Sequence, residues 1–112
     1  MSNVIEVTSL KLLLNMILRH PCTIVDFAAE SWCIPCQRFK PHFDAVSDMY
    51  PDIPFVHVDV DKADVDLLKY FEIQSVPEVL WFSDAINGVM ESRTAPALAR
   101  EIQLLTTPAE VV

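Results

Sequence analysis

The stretch Cys22-Thr-Ile-Val-Asp-Phe-Ala-Ala-Glu-Ser-Trp-Cys-Ile-Pro-Cys36 decides the fold of this protein. Its first half, Cys22 to Ala28, is a nearly continuous apolar run, which is typical of a strand buried on both faces. A long helix is predicted after the cysteines by apolar residues that recur at helical spacing, namely Phe39, Phe43, Val46 and Tyr50. Pro41 falls inside this helix, where we expect a kink. The stretch is therefore a buried strand and a helix, joined by a turn that carries two cysteines.

Outward from this stretch, strands and helices alternate along the chain. Further strands are predicted at Asn3 to Val7, Phe55 to Val60, Val79 to Phe82 and Val89 to Ser92. Asn87-Gly88 is a hairpin signal between the last two of them. Further helices are predicted from Thr8-Ser9 to His20-Pro21, from Asp61 to Phe71, and from Thr94-Ala95-Pro96 onward. This order predicts an α/β fold in which a central mixed five-stranded sheet, parallel with an antiparallel edge, is flanked by four helices.

The composition suits one compact domain and argues against several classes of partner. The chain has 112 residues, of which 52% are hydrophobic and 21% charged, so we expect a single domain over residues 1–112 with a loose tail at 106–112. The formal net charge of −8 argues against nucleic acid and against an anionic membrane surface, because both attract basic proteins.

The cysteine usage and the amino-terminal region indicate an intracellular protein. The chain has 3 cysteines, an odd number, and lacks the dispersed framework of a small secreted domain. The apolar run Leu10 to Leu18 contains Lys11 and Asn15, lacks a basic start and a cleavage site, and is too short to span a bilayer. We therefore expect no signal peptide and a cytoplasmic location.

The cysteines of Trp32-Cys33-Ile34-Pro35-Cys36 lie where a buried strand gives way to a helix. Cys33 would be at the helix N-terminus, where unpaired backbone N–H groups favour the thiolate, the reactive form of cysteine. Cys36 follows one turn later, within reach of a disulfide, and Pro35 stiffens the turn. Two inert core cysteines or a zinc site are the alternatives. We expect no metal, because the spare ligands form no matching pattern; they are Cys22, His20, His42 and His57.

With these residues in place, the chain resembles the thioredoxin family. The shared features follow one another in order and span residues 3 to 105; they are Val25-Asp26-Phe27, Trp32-Cys33-x-Pro35-Cys36, Pro41, Asp59-Val60-Asp61 and Val76-Pro77. A Cys-x-x-Cys pair alone is a weak signal, whereas the pair with a Val-Pro downstream at this distance is a strong one. The resemblance implies the thioredoxin fold and dithiol–disulfide chemistry.

The resemblance also implies a role for each matching residue. Cys33 corresponds to the nucleophile that opens a client disulfide, and Cys36 to the more buried resolving cysteine. Pro77 corresponds to the family's cis-proline beside the pair, an unusual bond for any protein. Val76 would offer its backbone to an extended client chain, and Trp32 would flank the site.

Two titratable residues are predicted near the pair. Asp26 lies in the doubly buried strand, where a carboxylate is costly unless it is neutral or paired. In the family, the matching aspartate lies beneath the resolving cysteine and shuttles its proton; a satisfied structural carboxylate is the alternative. His57 lies on the strand beside Asp26, and we expect it to tune or share the Asp26 proton. A partly exposed strand histidine is the alternative there.

Several residues depart from the family pattern on the client-binding face. Ile34 stands where glycine is usual, which changes the turn and leaves the reduction potential open. Glu78 follows Pro77 where threonine is usual, and its charge would oppose ionisation of Cys33 and favour basic clients. Ala28 and Ala29 replace a bulky residue, and Ser31 is an extra residue. The glycine expected before the last helix is absent, and Arg93-Thr94-Ala95-Pro96 stands there instead. The residues predicted to contact a client are Trp32, Ile34, Pro35, Val76 and Glu78.

The leading hypothesis is a monomeric reductase of protein disulfides, recharged by a thioredoxin-reductase-like electron donor. It needs no cofactor other than its own Cys33–Cys36 disulfide. Ile34 leaves an oxidant or isomerase open, while Glu78 and the missing glycine support a non-catalytic binding subunit. We expect Cys22 to be a packing thiol, and His20 and His42 to be surface residues.

Overall fold

The structure, a computed structural model, describes residues 3–84 and 87–107. The elements of this part follow the predicted order, with bounds β1 Val4–Glu6, α1 Leu10–Arg19, β2 Cys22–Ala28, α2 Ile34–Met49, β3 Phe55–Asp59, α3 Val65–Tyr70, β4 Glu78–Ser83, β5 Gly88–Met90 and α4 Ala95–Thr106. No helix in this described part is long and apolar enough to cross a membrane.

The strands form one mixed sheet in the order β1-β3-β2-β4-β5. β1, β3 and β2 are parallel, whereas β4 runs antiparallel to β2, and β5 antiparallel to β4. β2 is the central strand, and every one of its residues from Thr23 to Ala28 is buried. The predicted fold class is confirmed, and the continuous apolar run of β2 is explained by helices on both of its faces.

The helices cover the two faces of the sheet with separate apolar layers. On one face, α2 and α4 pack against a layer that includes Ile24 and Phe55. On the other, α1 and α3 pack against a layer that includes Val25 and Val56. Successive strand residues point to opposite faces. Asp26, two residues after Ile24, therefore points to the face that α2 covers.

The third helix is shorter than predicted. The sequence predicted a helix from Asp61 to Phe71, whereas α3 runs only from Val65 to Tyr70. The backbone N–H of Asp64 donates to the Thr8 carbonyl, 2.9 Å away. This contact between distant segments holds Asp64 in an extended conformation as the N-cap, so that helical hydrogen bonding begins after it.

The predicted turn at Asn87-Gly88 was wrong in its position. Gly88 already belongs to β5, where it pairs with Trp81 of β4, and β5 ends at Met90. The Asn87 side-chain oxygen accepts a hydrogen bond of 3.0 Å from the Ser83 backbone N–H. The connection is therefore longer than the two-residue hairpin expected, and its residues 85 and 86 lie outside the described part.

The last helix extends slightly into the segment predicted to be a loose tail. α4 includes Thr106, whose hydroxyl donates to the Ile102 carbonyl at 2.9 Å. Thr106 therefore belongs to α4, one residue into the segment that was predicted to be loose. Residues 108–112 of the predicted tail lie outside the described residues.

His20 and His42 were both predicted to be surface residues, but both are half-buried, and His42 lies between two helices. Its Nδ1 accepts a hydrogen bond of 2.9 Å from the backbone N–H of Ala95, the first residue of α4. The N-cap residue Thr94 makes no side-chain cap bond. His42 on α2 thus serves as the acceptor that a capping side chain normally provides.

We therefore expect His42→Ala to lower the free energy of unfolding by about 1 kcal/mol, the usual cost of a lost helix cap. Urea denaturation measures this value, and Asp48→Ala, an exposed position of the same helix, is the control. Equal stabilities of the two variants would show that the His42 bond contributes nothing.

Candidate active site

The two cysteines lie at the start of α2, directly after the central strand. Cys33 is the N-cap of this helix and forms a disulfide with Cys36, with 5.2 Å between their Cα atoms. The Cys33 sulfur accepts a hydrogen bond of 3.2 Å from the backbone N–H of Cys36. Unpaired N–H groups at a helix start stabilise negative charge. The same groups therefore favour a Cys33 thiolate once the disulfide opens.

The loop before β4 lies against Cys33. The Val76–Pro77 peptide bond is cis. The Cys33 sulfur is 3.9 Å from the Val76 carbonyl oxygen. Small side chains surround the disulfide, because Ala28 and Ala29 form one buried cluster with the two cysteines. Both cysteines are buried in this oxidised form, with exposed fractions of 5% and 3%, so burial hardly distinguishes Cys33 from Cys36.

Asp26 and His57 form a buried pair beneath this end of the sheet. They are direct neighbours on the parallel strands β2 and β3, with exposed fractions of 1% and 2%. His57 Nδ1 is 3.4 Å from Asp26 Oδ2, and His57 Nε2 is 2.9 Å from Glu30 Oε1. The alternative of a partly exposed His57 is therefore wrong.

The surroundings of His57 favour its charged form. Burial of the imidazole acts to lower its pKa, and the charge of Lys40 acts in the same direction. The hydrogen bond to Asp26 and the negative charges of Asp26 and Glu30 outweigh both. The pKa of His57 is therefore raised above its ordinary value of 6.5, and the imidazolium persists toward neutral pH.

A cavity of about 280 Å³ connects the redox pair to this buried pair. Cys36 and His57 both line it, together with Ala28, Glu30, Gln37 and Lys40. The sequence interpretation missed Glu30 and Lys40, although Glu30 lies only three residues before Cys33. The available signal was Glu30 itself, a charged residue within the stretch Cys22 to Cys36. Cys36 of the redox pair and His57 of the buried pair thus face the same cavity.

The thioredoxin family profile matches residues 5–103. This chain belongs to the thioredoxin family. Thioredoxin-3 of Dictyostelium discoideum is 40% identical over 97 residues, which cover 87% of this chain and 88% of that protein. The crystal structure of oxidised mitochondrial thioredoxin 3 from Saccharomyces cerevisiae has a TM-score of 0.76 and 30% identity, covering 89% of this chain and 93% of that one. The solution structure of oxidised thioredoxin from Plasmodium falciparum has a TM-score of 0.77 and 28% identity, covering 93% of this chain and 99% of that one.

Membership of the thioredoxin family and the Cys33–Cys36 pair together establish the type of chemistry. The protein is a thiol–disulfide oxidoreductase. The inert pair considered from the sequence is therefore excluded.

The surface around the thioredoxin site combines exposed apolar side chains with a tethered tryptophan. Trp32 and Ile34 are 62% and 58% exposed. The Trp32 indole N–H donates to Asp61 Oδ2 at 3.0 Å. This contact with Asp61 was not predicted from the sequence. Glu78, the first residue of β4, is half-buried and directly opposite Phe27.

Arg93, in the segment before α4, folds back onto the protein. Its guanidinium carbon lies 5.4 Å from the centre of the Phe39 ring, and its Nη1 donates to the Met90 carbonyl at 2.7 Å. Arg93 and Arg38 line a groove with Pro35 and Pro77. This side of the site is therefore more basic than the sequence alone suggested.

Cys22 lies apart from the redox pair, at the first position of β2. It is free and half-buried, and it packs against the apolar layer beneath α2 and α4. Burial raises the pKa of the Cys22 thiol, so less of the reactive thiolate is present. These features support the predicted packing role.

Proposed function

We propose that this thioredoxin-family protein reduces disulfides of protein clients, with Cys33 as the nucleophile and Cys36 as the resolving cysteine. The observation that carries the proposal is the position of Cys33, at the N-cap of α2 and beside the Val76 carbonyl. A helix N-terminus lowers the cost of the attacking thiolate. The relative named Thioredoxin-3, which aligns over 87% of the chain, supports the reducing direction.

The thiol–disulfide exchange proceeds in two steps. The Cys33 thiolate attacks one sulfur of the client disulfide; a Cys33–client bond forms, the client disulfide breaks, and the second client sulfur leaves as a thiolate that takes up a proton. Cys36 then gives its proton to Asp26 and attacks the Cys33 sulfur. The Cys33–Cys36 disulfide forms, the mixed disulfide breaks, and the client sulfur bound to Cys33 leaves as a thiolate that takes the proton from Asp26, so that the client is released as a dithiol.

The oxidised pair must then receive two electrons and two protons. We propose a thioredoxin-reductase-like enzyme as the donor, and no cofactor beyond the cysteine pair. A monomer and a single domain over residues 1–112 complete the proposal. A cytoplasmic location is part of it as well, because the reducing poise of that compartment keeps such a pair supplied with electrons.

The proposed client site is the surface around the cis-proline. An extended client chain would bond to the backbone of Val76, with Pro77 next to Cys33. Trp32 and Val76 line an apolar groove on one side, together with Val60, Leu68 and Ile73. Ile34, Pro35 and Glu78 would contact client side chains. Contact between Glu78 and the Cys33 thiolate stays a prediction.

The reduction potential of the Cys33–Cys36 pair tests the direction of electron flow. Equilibration with dithiothreitol buffers should give a value nearer to about −270 mV than to about −120 mV, the values of thioredoxin and of a strong oxidant. Ile34→Gly is the informative comparison, because it restores the usual family residue. A wild-type value near that of the strong oxidant would instead favour the oxidant or isomerase.

We propose that His57 assists Asp26, and that the loss of His57 shifts the pH dependence of mixed-disulfide release in one direction. The imidazolium, which persists toward neutral pH, stabilises the Asp26 carboxylate that accepts the Cys36 proton. His57→Gln should therefore move the pH of half-maximal mixed-disulfide release upward. The pH–rate profile, measured with a chelator present and with His20→Gln as the control, tests this. An unshifted profile would remove His57 from the mechanism.

A further inference from the structure

Two carboxylates and the buried histidine converge beside the redox pair. The cluster consists of Glu6, Glu30 and His57, whose side-chain oxygen and nitrogen atoms lie within 4.8 Å of one another. Glu6 and His57 are direct neighbours on the parallel strands β1 and β3. Glu30 lies just after the end of β2, the strand next to β3 in the sheet. Three separate segments thus bring potential metal ligands to one place.

The orientation of His57 points to a missing positive ligand. Nδ1 faces Asp26 Oδ2 at 3.4 Å, and because a carboxylate can only accept, Nδ1 carries a proton. Nε2 lies 2.9 Å from Glu30 Oε1, yet it has no hydrogen-bond partner of acceptable geometry among the described residues. His57 is only 2% exposed, so bulk water does not surround this nitrogen. The Nε2 atom beside the Glu30 carboxylate can therefore carry either a proton, which the raised pKa of His57 favours, or a metal ion that displaces this proton and lies between the nitrogen and the carboxylate oxygen.

We propose that Glu6, Glu30 and His57 bind a divalent transition-metal ion of the Zn²⁺ type. Zinc accepts imidazole nitrogen and carboxylate oxygen as ligands at about 2.0–2.2 Å, usually in a tetrahedral arrangement. Ligand atoms then lie about 3.3 Å apart, a spacing that the two glutamates can reach because Glu6 is exposed and Glu30 half-buried. A water molecule would take the fourth position on the solvent side.

Asp26 completes the site as a supporting residue. Metal-bound histidines usually donate their second ring N–H to a carboxylate, which holds the ring in place and strengthens the ligand. The Asp26–His57 pair already has this arrangement. Lys40 lines the same cavity and opposes a cation, but it forms an ion pair of 3.5 Å with Asp44.

The ligand set favours one class of metal. Imidazole nitrogen suits zinc and neighbouring transition metals, whereas calcium and magnesium prefer sites made only of oxygen. The sequence showed no metal pattern, because the three ligands are far apart in the chain and none is a cysteine. Only the strand order β1-β3-β2 brings them together.

The test is calorimetric titration of the full chain with zinc chloride at neutral pH in a non-chelating buffer. The protein is kept oxidised and carries Cys22→Ser, so that no free thiol is available among its 3 cysteines. We expect saturation at one zinc ion per chain, no comparable binding of Mg²⁺, and a zinc-dependent change of the His57 Nε2 signal in nitrogen NMR.

Variants connect the binding to the proposed ligands. Glu30→Gln and His57→Gln should each weaken zinc binding by more than about tenfold, since even supporting residues of metal sites contribute 10–100-fold. Glu91→Gln and His20→Gln, at exposed and half-buried positions outside the cluster, are the matched controls and should bind normally. Glu30 is half-buried, so its variant tests the site even if His57→Gln fails to fold. Absence of saturable binding, unchanged affinity in Glu30→Gln, or equal binding of Mg²⁺ would each overturn the proposal.

Discussion

Cys33→Ser is expected to abolish insulin reduction, and Cys36→Ser to capture clients as mixed disulfides. A serine hydroxyl is not ionised at neutral pH, so the first step loses its nucleophile and the rate should fall by at least about 1000-fold. Without Cys36, the first step still occurs, but nothing opens the Cys33–client bond. The measurements are insulin turbidity for turnover and non-reducing electrophoresis for the captured species.

The third cysteine provides the matched control for this experiment. Cys22 is half-buried and outside the redox pair, so Cys22→Ser should keep its full activity. Absence of insulin reduction already in the wild type, with no further loss in Cys33→Ser, would show that the pair is incidental and that the protein is a binding subunit. A Cys36→Ser variant that turns over normally would rule out Cys36 as the resolving cysteine.

Asp26→Asn is expected to slow the second step by about 100-fold at neutral pH, while the first step continues at its normal rate. General acid–base groups typically contribute 10²–10⁴-fold, and asparagine keeps the shape of the side chain but cannot accept the Cys36 proton. Rapid-mixing kinetics separates the two steps, because the mixed disulfide forms in one phase and decays in the next.

The selectivity of this effect distinguishes proton transfer from a damaged fold. Asp66→Asn, an exposed aspartate in the first turn of α3, is the control and should leave both steps unchanged. Denaturation in urea shows whether Asp26→Asn also changes stability, since it removes the partner of a buried histidine. Unchanged decay of the mixed disulfide in Asp26→Asn would end the proton-shuttle role.

Much of the fold could be predicted because the signals were local. The run Cys22 to Ala28 indicated the central strand, and the apolar spacing after Cys36 indicated α2. Two of the misplaced boundaries depend on contacts that lie outside the short segment from which each was predicted. Asp64 bonds to Thr8 and delays the start of α3, while the pairing of Gly88 with Trp81 moves the turn before β5.

The candidate site divides in the same way. Cys33, Cys36 and Pro77 could be named from motifs, because the helix start and the Val-Pro signal are written in short segments. The contact of Arg93 with Phe39 could not be predicted, because it depends on how α2 packs beside the loop before α4. His42 likewise became a cap only because α2 lies next to the start of α4.

The stretch Cys22 to Cys36 by itself determined a buried strand, a helix and a redox pair between them, because strand burial and helix capping act over a few residues. The tertiary structure decided what surrounds that pair. Parallel pairing of β1, β3 and β2 places Glu6, His57 and Asp26 in one row across the sheet. Within this row, Asp26 and His57 interact strongly because their burial removes the water that would screen them. The proton partner of Asp26 and the proposed metal site therefore arise from strand order, a property that no single segment of the sequence contains.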